Sequence, residues 1–178
     1  MDKAASRLWL MRSLYLFLAM LVMFFHLLPL DTKPDRWPFP ELLIGLTFAW
    51  VLRRPDFVPI ASVTVVMLMA DFLLQRPPGL LAALVVLGTA YLRSDGQGIR
   101  DIGFLAEWTT VAVVTIVIFV LNRLILALLS VEQAALGPVL VQTILTVASY
   151  PLVVLFSQSV LGVRRPSAAD NMATGVHA

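Results

Sequence analysis

Cysteine is absent from the 178 residues, which removes disulfide staples, thiolate metal sites and cysteine nucleophiles at one stroke. Histidine occurs twice, at His26 and His177, too far apart in sequence and too isolated to suggest a zinc centre. Charge is the other scarcity. Only 13% of the residues are Asp, Glu, Lys or Arg, about half the share with which a soluble domain covers its surface. The formal net charge of +2 gives no basic stripe of the kind that nucleic acid demands. No Ser/His/Asp set, His-Glu-x-x-His helix, Gly-rich phosphate loop or paired-carboxylate constellation stands out, so the reading is of a non-enzyme without cofactor or metal.

What the chain has instead is apolar length. Hydrophobic residues make up 60% of it, and the mean hydropathy is +0.90. The implied solvent is lipid, and the implied fold is an all-α, six-helix transmembrane bundle. Six apolar runs, set apart by charge, Pro and Gly, fall near Ser13–Leu30, Phe39–Leu52, Phe57–Leu74, Gly79–Leu92, Phe104–Leu129 and Leu136–Leu161. The first, third, fifth and sixth are long enough to cross ~30 Å of hydrocarbon, whereas the second and fourth are short for it. Residues 1–163 read as one helical domain, and 164–178 as a disordered polar tail. The basic residues Arg7 and Arg12 before the first run resemble the start of a signal peptide, but no small-x-small cleavage site follows, which favours a retained helix. Nine loop and terminal Lys/Arg residues lie on one side of the six-pass arrangement and three on the other. By the positive-inside rule both termini are cytoplasmic.

Charges inside a bilayer are functional candidates by default. Glu41, Asp71 and Arg123, with Asn122 beside it, fall at similar depth near the outer ends of their helices. Two readings stand: Asp71 or Glu41 pairs with Arg123 across the bundle, or each snorkels separately to the interface. Glu107 reads as a first-turn residue whose carboxylate suits the positive end of the helix dipole. His26 reads as a packed or interfacial histidine. Trp37 and Trp50 suit an interfacial belt, as do Trp9 and Trp108, with packing the equal alternative for Trp50. Pro151 is expected to kink the last helix, with Ser149 and Tyr150 near the freed backbone.

An ordered set of positions is more specific. Pro40 opens an apolar helix, Trp50 follows ten residues later, Pro55 five after that, Asp71 closes the next span, and Gly79 lies eight beyond it. With Gln75-Arg76-Pro77-Pro78-Gly79 and the late Tyr150-Pro151-Leu152, this resembles the rod-shape-determining MreD family, in the version found in alphaproteobacterial members. Met67 and Gln75 stand where many members have glycine. The resemblance covers roughly Leu14 to Leu161. It implies a bacterial inner-membrane subunit of the elongasome that binds a single-pass MreC-like protein. Through that protein it would reach an MreB-like filament, a RodA-like glycosyltransferase and a penicillin-binding transpeptidase, supporting lateral peptidoglycan synthesis. It also implies a bundle like that of the S components of energy-coupling-factor transporters, whose outward-facing pocket suggests the alternative of a small-solute binding or transport module.

Overall fold

The computed structural model describes residues 3–28, 39–94, 103–131, 133 and 135–159. The described residues are all-helical. Helix α1 runs Lys3–Leu27, α2 Leu42–Arg53, α3 Ile60–Leu73, α4 Leu80–Ser94, α5 Phe104–Leu128 and α6 Leu136–Ser159, with a 3₁₀ turn at Pro55–Phe57. Three of them, α1, α5 and α6, are long and apolar enough to cross a membrane.

The third apolar run departs from expectation. Its helix has 14 residues, about 21 Å at 1.5 Å per residue, and is therefore not of spanning length. The chain explains the shortening at both ends. Pro55 and Pro59 divert the start of the run into the 3₁₀ turn and an extended Pro59 at the N-cap. At the other end Gln75 adopts φ +53°. There the Arg76 N–H donates to Asp71 O at 2.9 Å and the Gln75 N–H to Phe72 O at 3.3 Å. That double bond pattern is the Schellman stop, whose left-handed position ordinarily carries glycine.

Helix α2 is the axis of the molecule. Eleven of its 12 residues are buried, enclosed by α1, α4 and α6. A helix sheathed by protein on all sides need not match a bilayer's thickness, because its ends meet side chains rather than hydrocarbon. Helix α1 lays Tyr15, Ala19 and Met23 against this core at a four-residue spacing. Helix α4 comes closest at Gly88, where a Cβ would lie 3.0 Å from Ile118 Cδ1, 3.1 Å from Val114 Cγ1 and 3.3 Å from Phe48 Cζ. The missing side chain lets α2, α4 and α5 meet at one level.

The outer helices lack the polar exposed face of a water-soluble bundle and turn several polar groups inward. The buried positions of α6 are Thr146, Tyr150, Val154 and Ser157, and those of α5 are Glu107, Val111, Thr115, Ile118 and Phe119. Their exposed positions carry large apolar side chains, among them Leu105, Val113, Val120, Leu124, Ile144 and Leu152. Helix α6 continues through Pro151 without a break. A proline at that position leaves the Val147 carbonyl without its helical donor, and the Trp108 indole supplies one, Nε1 to Val147 O at 3.0 Å.

Candidate functional site

The polar side chains gather in two clusters at opposite ends of the bundle. At one end, the C-terminus of α2 meets the N-terminus of α5. Arg53 and Glu107 are each 1% exposed, with Nη1 and Oε1 2.5 Å apart. The Tyr150 hydroxyl of α6 donates to the same Oε1 at 2.5 Å. Arg53 Nη1 also reaches Ala49 O at 3.4 Å, while its Nε has no partner. Three helices are thus held by one carboxylate. The first-turn reading of Glu107 is incomplete: the residue does begin a helix, but its side chain turns inward. The row Glu107, Val111, Thr115 and Ile118 follows the helical repeat and carries the signal that was present in the sequence.

Around this cluster the connections are pinned by guanidinium groups. Arg93 Nη2 donates to Pro55 O at 2.9 Å and also to Val58 O. Arg12 Nε donates to Asp56 O at 3.1 Å. Pro55 therefore opens a turn whose carbonyls are held by α1 and α4. Trp50 is fully buried and does not belong to an interfacial belt. Its Nε1 donates to Ser157 Oγ at 3.1 Å, and its ring lies 5.9 Å from that of Tyr15. The Tyr15 hydroxyl is 3.0 Å from Thr47 Oγ1. Because Thr47 spends its own proton on Leu43 O at 2.7 Å, Tyr15 is the donor in that pair. Trp9 is exposed beside Arg12.

At the other end, Glu41 is buried before the first turn of α2. The sequence left open a pair between Glu41 or Asp71 and Arg123, and the structure gives both carboxylates other partners. Glu41 Oε1 accepts from Arg76 Nη2 in an ion pair and from Gln142 Nε2 at 3.1 Å. The Glu41 N–H donates to Thr146 Oγ1 at 2.9 Å. Asp71 Oδ2 accepts the Gly79 N–H at 3.0 Å and the Ala82 N–H at 3.2 Å. Gly79, at φ +89°, is the N-cap of α4, and Ala82 its third residue. A carboxylate borrowed from the preceding helix thus satisfies two of the four amides that a helix start leaves open. Helix geometry explains the change of partner, since the Arg76-Pro77-Pro78-Gly79 reversal brings its own cation and its own amides to the two acids. Pro40 sits just before α2, its carbonyl accepting the Leu42 N–H at 2.9 Å.

Arg123 and Asn122 line a cavity of about 210 Å³ with Arg76, Pro77 and Gln133, and the Arg123 carbonyl accepts from Gln133 Nε2 at 3.2 Å. His26 lies near Phe39, ring centroids 6.4 Å apart. Ser149 Oγ donates to Thr146 O at 2.9 Å. Trp37, His177, the 164–178 tail and most of the basic residues on the three-residue side fall outside the described residues. Among the described residues no group of three or more His, Asp or Glu is placed to hold a metal ion.

Pro40, Trp50, Pro55, Asp71 and Gly79 are therefore places of structural consequence: a helix opening, a core indole, a pinned turn, a borrowed cap and its glycine. No family model, curated protein or solved structure matches the chain.

Proposed function

We propose that the chain is a non-enzymatic, six-helix inner-membrane scaffold of the MreD kind. It binds the transmembrane and juxtamembrane segment of an MreC-like single-pass protein and stabilises the elongasome around it. The observation that carries this reading is the patterning of α5 and α6: Glu107, Thr115, Thr146, Tyr150 and Ser157 are turned inward among Val111, Ile118, Phe119 and Val154, while the exposed positions carry large apolar groups. A lipid solvent accounts for that arrangement, and such faces offer packing surface to a further helix. The charges support it too. Glu41, Asp71, Arg53 and Glu107 are committed to partners within the bundle, as befits groups that hold a shape. Arg12, Arg53, Arg54 and Arg93 gather at the end where the N-terminus of α1 lies, which fits cytoplasmic termini. The left-handed Gln75 stands where many members of that family have glycine, and glycine is the residue that this conformation favours.

The test is depletion in rod-shaped cells together with detergent co-purification. Loss of rod shape and retention of the MreC-like partner are the expected results; normal rods after depletion contradict the proposal. The cavity beside Arg123 favours the second reading, an S-component-like solute module. Chromosomal neighbours separate the two: genes for actin-like and MreC-like proteins favour the scaffold, and genes for a transport ATPase favour the module.

A further inference from the structure

We propose that the protein thins the bilayer along one flank, where α3 and α4 face lipid, and that the leaflet at the Glu41 end makes most of the adjustment. The proposal rests on the membrane setting of the reading above but needs nothing from its protein partner.

Helix lengths set the problem. Helices α3 and α4 have 14 and 15 residues, about 21–23 Å of rise against ~30 Å of hydrocarbon. Tilt shortens the span of a long helix and cannot lengthen that of a short one. Helix α2 is shorter still, with 12 residues, but protein sheathes it, so the deficit matters only where a short helix meets the membrane. The α3–α4 hairpin is that place. Val65, Phe72 and Leu73 on α3 and Leu87 on α4 are exposed. Gln75 and Arg76 bound this apolar band at one end, and Arg93 and Ser94 at the other.

Contacts between helices locate the shortfall. At the Glu107 end the helices finish together: Arg53 of α2 meets Glu107 in the first turn of α5, and Arg93 of α4 meets the Pro55–Val58 turn. At the Glu41 end they do not. His26 and Leu27 of α1 share one depression with Leu74, Gln75 and Arg76, and Arg76 pairs with Glu41 at the start of α2. The ends of α1, α2, α3 and α4 therefore lie at one level. Gln142 of α6 donates to Glu41, and Arg123 of α5 lines a cavity with Arg76 and Pro77, which puts both residues at that level too. Yet α6 begins six residues before Gln142 and α5 ends five residues after Arg123, about 7–9 Å further out. The projecting part carries Leu124, Leu128, Leu136 and Leu140, all exposed, and belongs in hydrocarbon. A leaflet that covers it must descend to reach the polar Gln75–Arg76 turn. Short hydrophobic stretches draw a bilayer inward in this way.

The chain has no cysteine, so single cysteines can carry spin labels. Full-length Leu73→Cys, Val65→Cys and Leu124→Cys, all at exposed positions, are placed in dioleoylphosphatidylcholine liposomes. Label depth is read from relaxation by oxygen and by a water-soluble nickel chelate. Leu73 lies about one turn inside the level of Arg76, and Leu124 just outside that of Arg123. An undeformed leaflet therefore makes the Leu73 label the deeper of the two, by roughly 5 Å. Thinning reverses the order: the Leu73 label sits among headgroups, the Leu124 label roughly 6 Å within hydrocarbon, and the Val65 label in hydrocarbon as well. Phe72→Cys repeats the Leu73 measurement at a second site. Labels at Leu73 and Phe72 as deep as that at Leu124, or deeper, overturn the proposal. So do labels there that neither reagent reaches, because a second copy then covers the flank. Water around Val65 with Leu124 in hydrocarbon overturns the thinning alone, whereas water around all of them overturns the membrane reading with it.

Discussion

Glu107→Leu should be among the most damaging single substitutions in this protein, and the reason is arithmetic about a buried charge. The substitution takes its carboxylate partner from the Arg53 guanidinium, 1% exposed, and leaves it neutral groups alone, the stretched 3.4 Å contact to Ala49 O and the Tyr150 hydroxyl. Breaking a buried ion pair from one side costs about 3–5 kcal/mol, because the abandoned charge stays out of water. For a chain of this size each kcal/mol moves the melting temperature by about 2–4 °C, so the expected drop is roughly 6–20 °C. Arg53→Met should cost less, since Glu107 keeps the Tyr150 hydroxyl at 2.5 Å. The double variant should recover most of the loss, because two apolar side chains of similar volume replace the pair without stranding either charge. Temperature-dependent fluorescence size exclusion of the solubilised full chain measures all three. Single variants that melt within about 2 °C of wild type, or a double variant no better than Glu107→Leu, would refute the reasoning, for then the pair carries no coupled energy.

Asp71→Ala strips α4 of its borrowed cap and should cost about 1–2 kcal/mol, while Asp71→Asn keeps an acceptor and should cost less; thermal unfolding distinguishes them. Gln75→Gly should raise stability by roughly 0.5–1 kcal/mol, since the strain of the left-handed conformation, about 1–2 kcal/mol, exceeds the extra chain entropy that glycine brings. Trp108→Phe should destabilise the parent by about 1–2 kcal/mol through an unsatisfied carbonyl, and clearly less in a Pro151→Ala background, where Val147 O regains its helical donor. A double-mutant cycle on melting temperature checks that coupling.

The helices were legible because lipid-facing runs need only be apolar: five of the six apolar runs yield a helix within three residues of the expected bounds, while α1 begins at Lys3, ten residues before the expected Ser13. What local pattern could not show is which charges meet. Glu107 and Arg53 lie 54 positions apart, and Glu107 and Tyr150 lie 43 apart. A first-turn glutamate looks complete by itself, since the helix dipole already accounts for it. Arg76 looked like loop charge until the Pro77-Pro78 reversal returned it over Glu41. Asp71 was singled out as a charge inside the bilayer, and its partners are backbone amides, which no residue pattern advertises. The third helix was overestimated because its flanking Val58 and Leu74 are apolar enough to extend the run, whereas Pro59 and the left-handed Gln75 decide where hydrogen bonding stops.

The most direct measurement is photo-cross-linking in living cells from the exposed faces of the three long helices. A photoreactive amino acid placed at Phe17, Val120 or Ile144, all exposed, should capture an MreC-like single-pass protein from at least one of these positions, and the adduct should disappear when that partner's transmembrane segment is replaced. Cross-links from all three positions to lipid alone, in cells that contain the partner, would contradict the account.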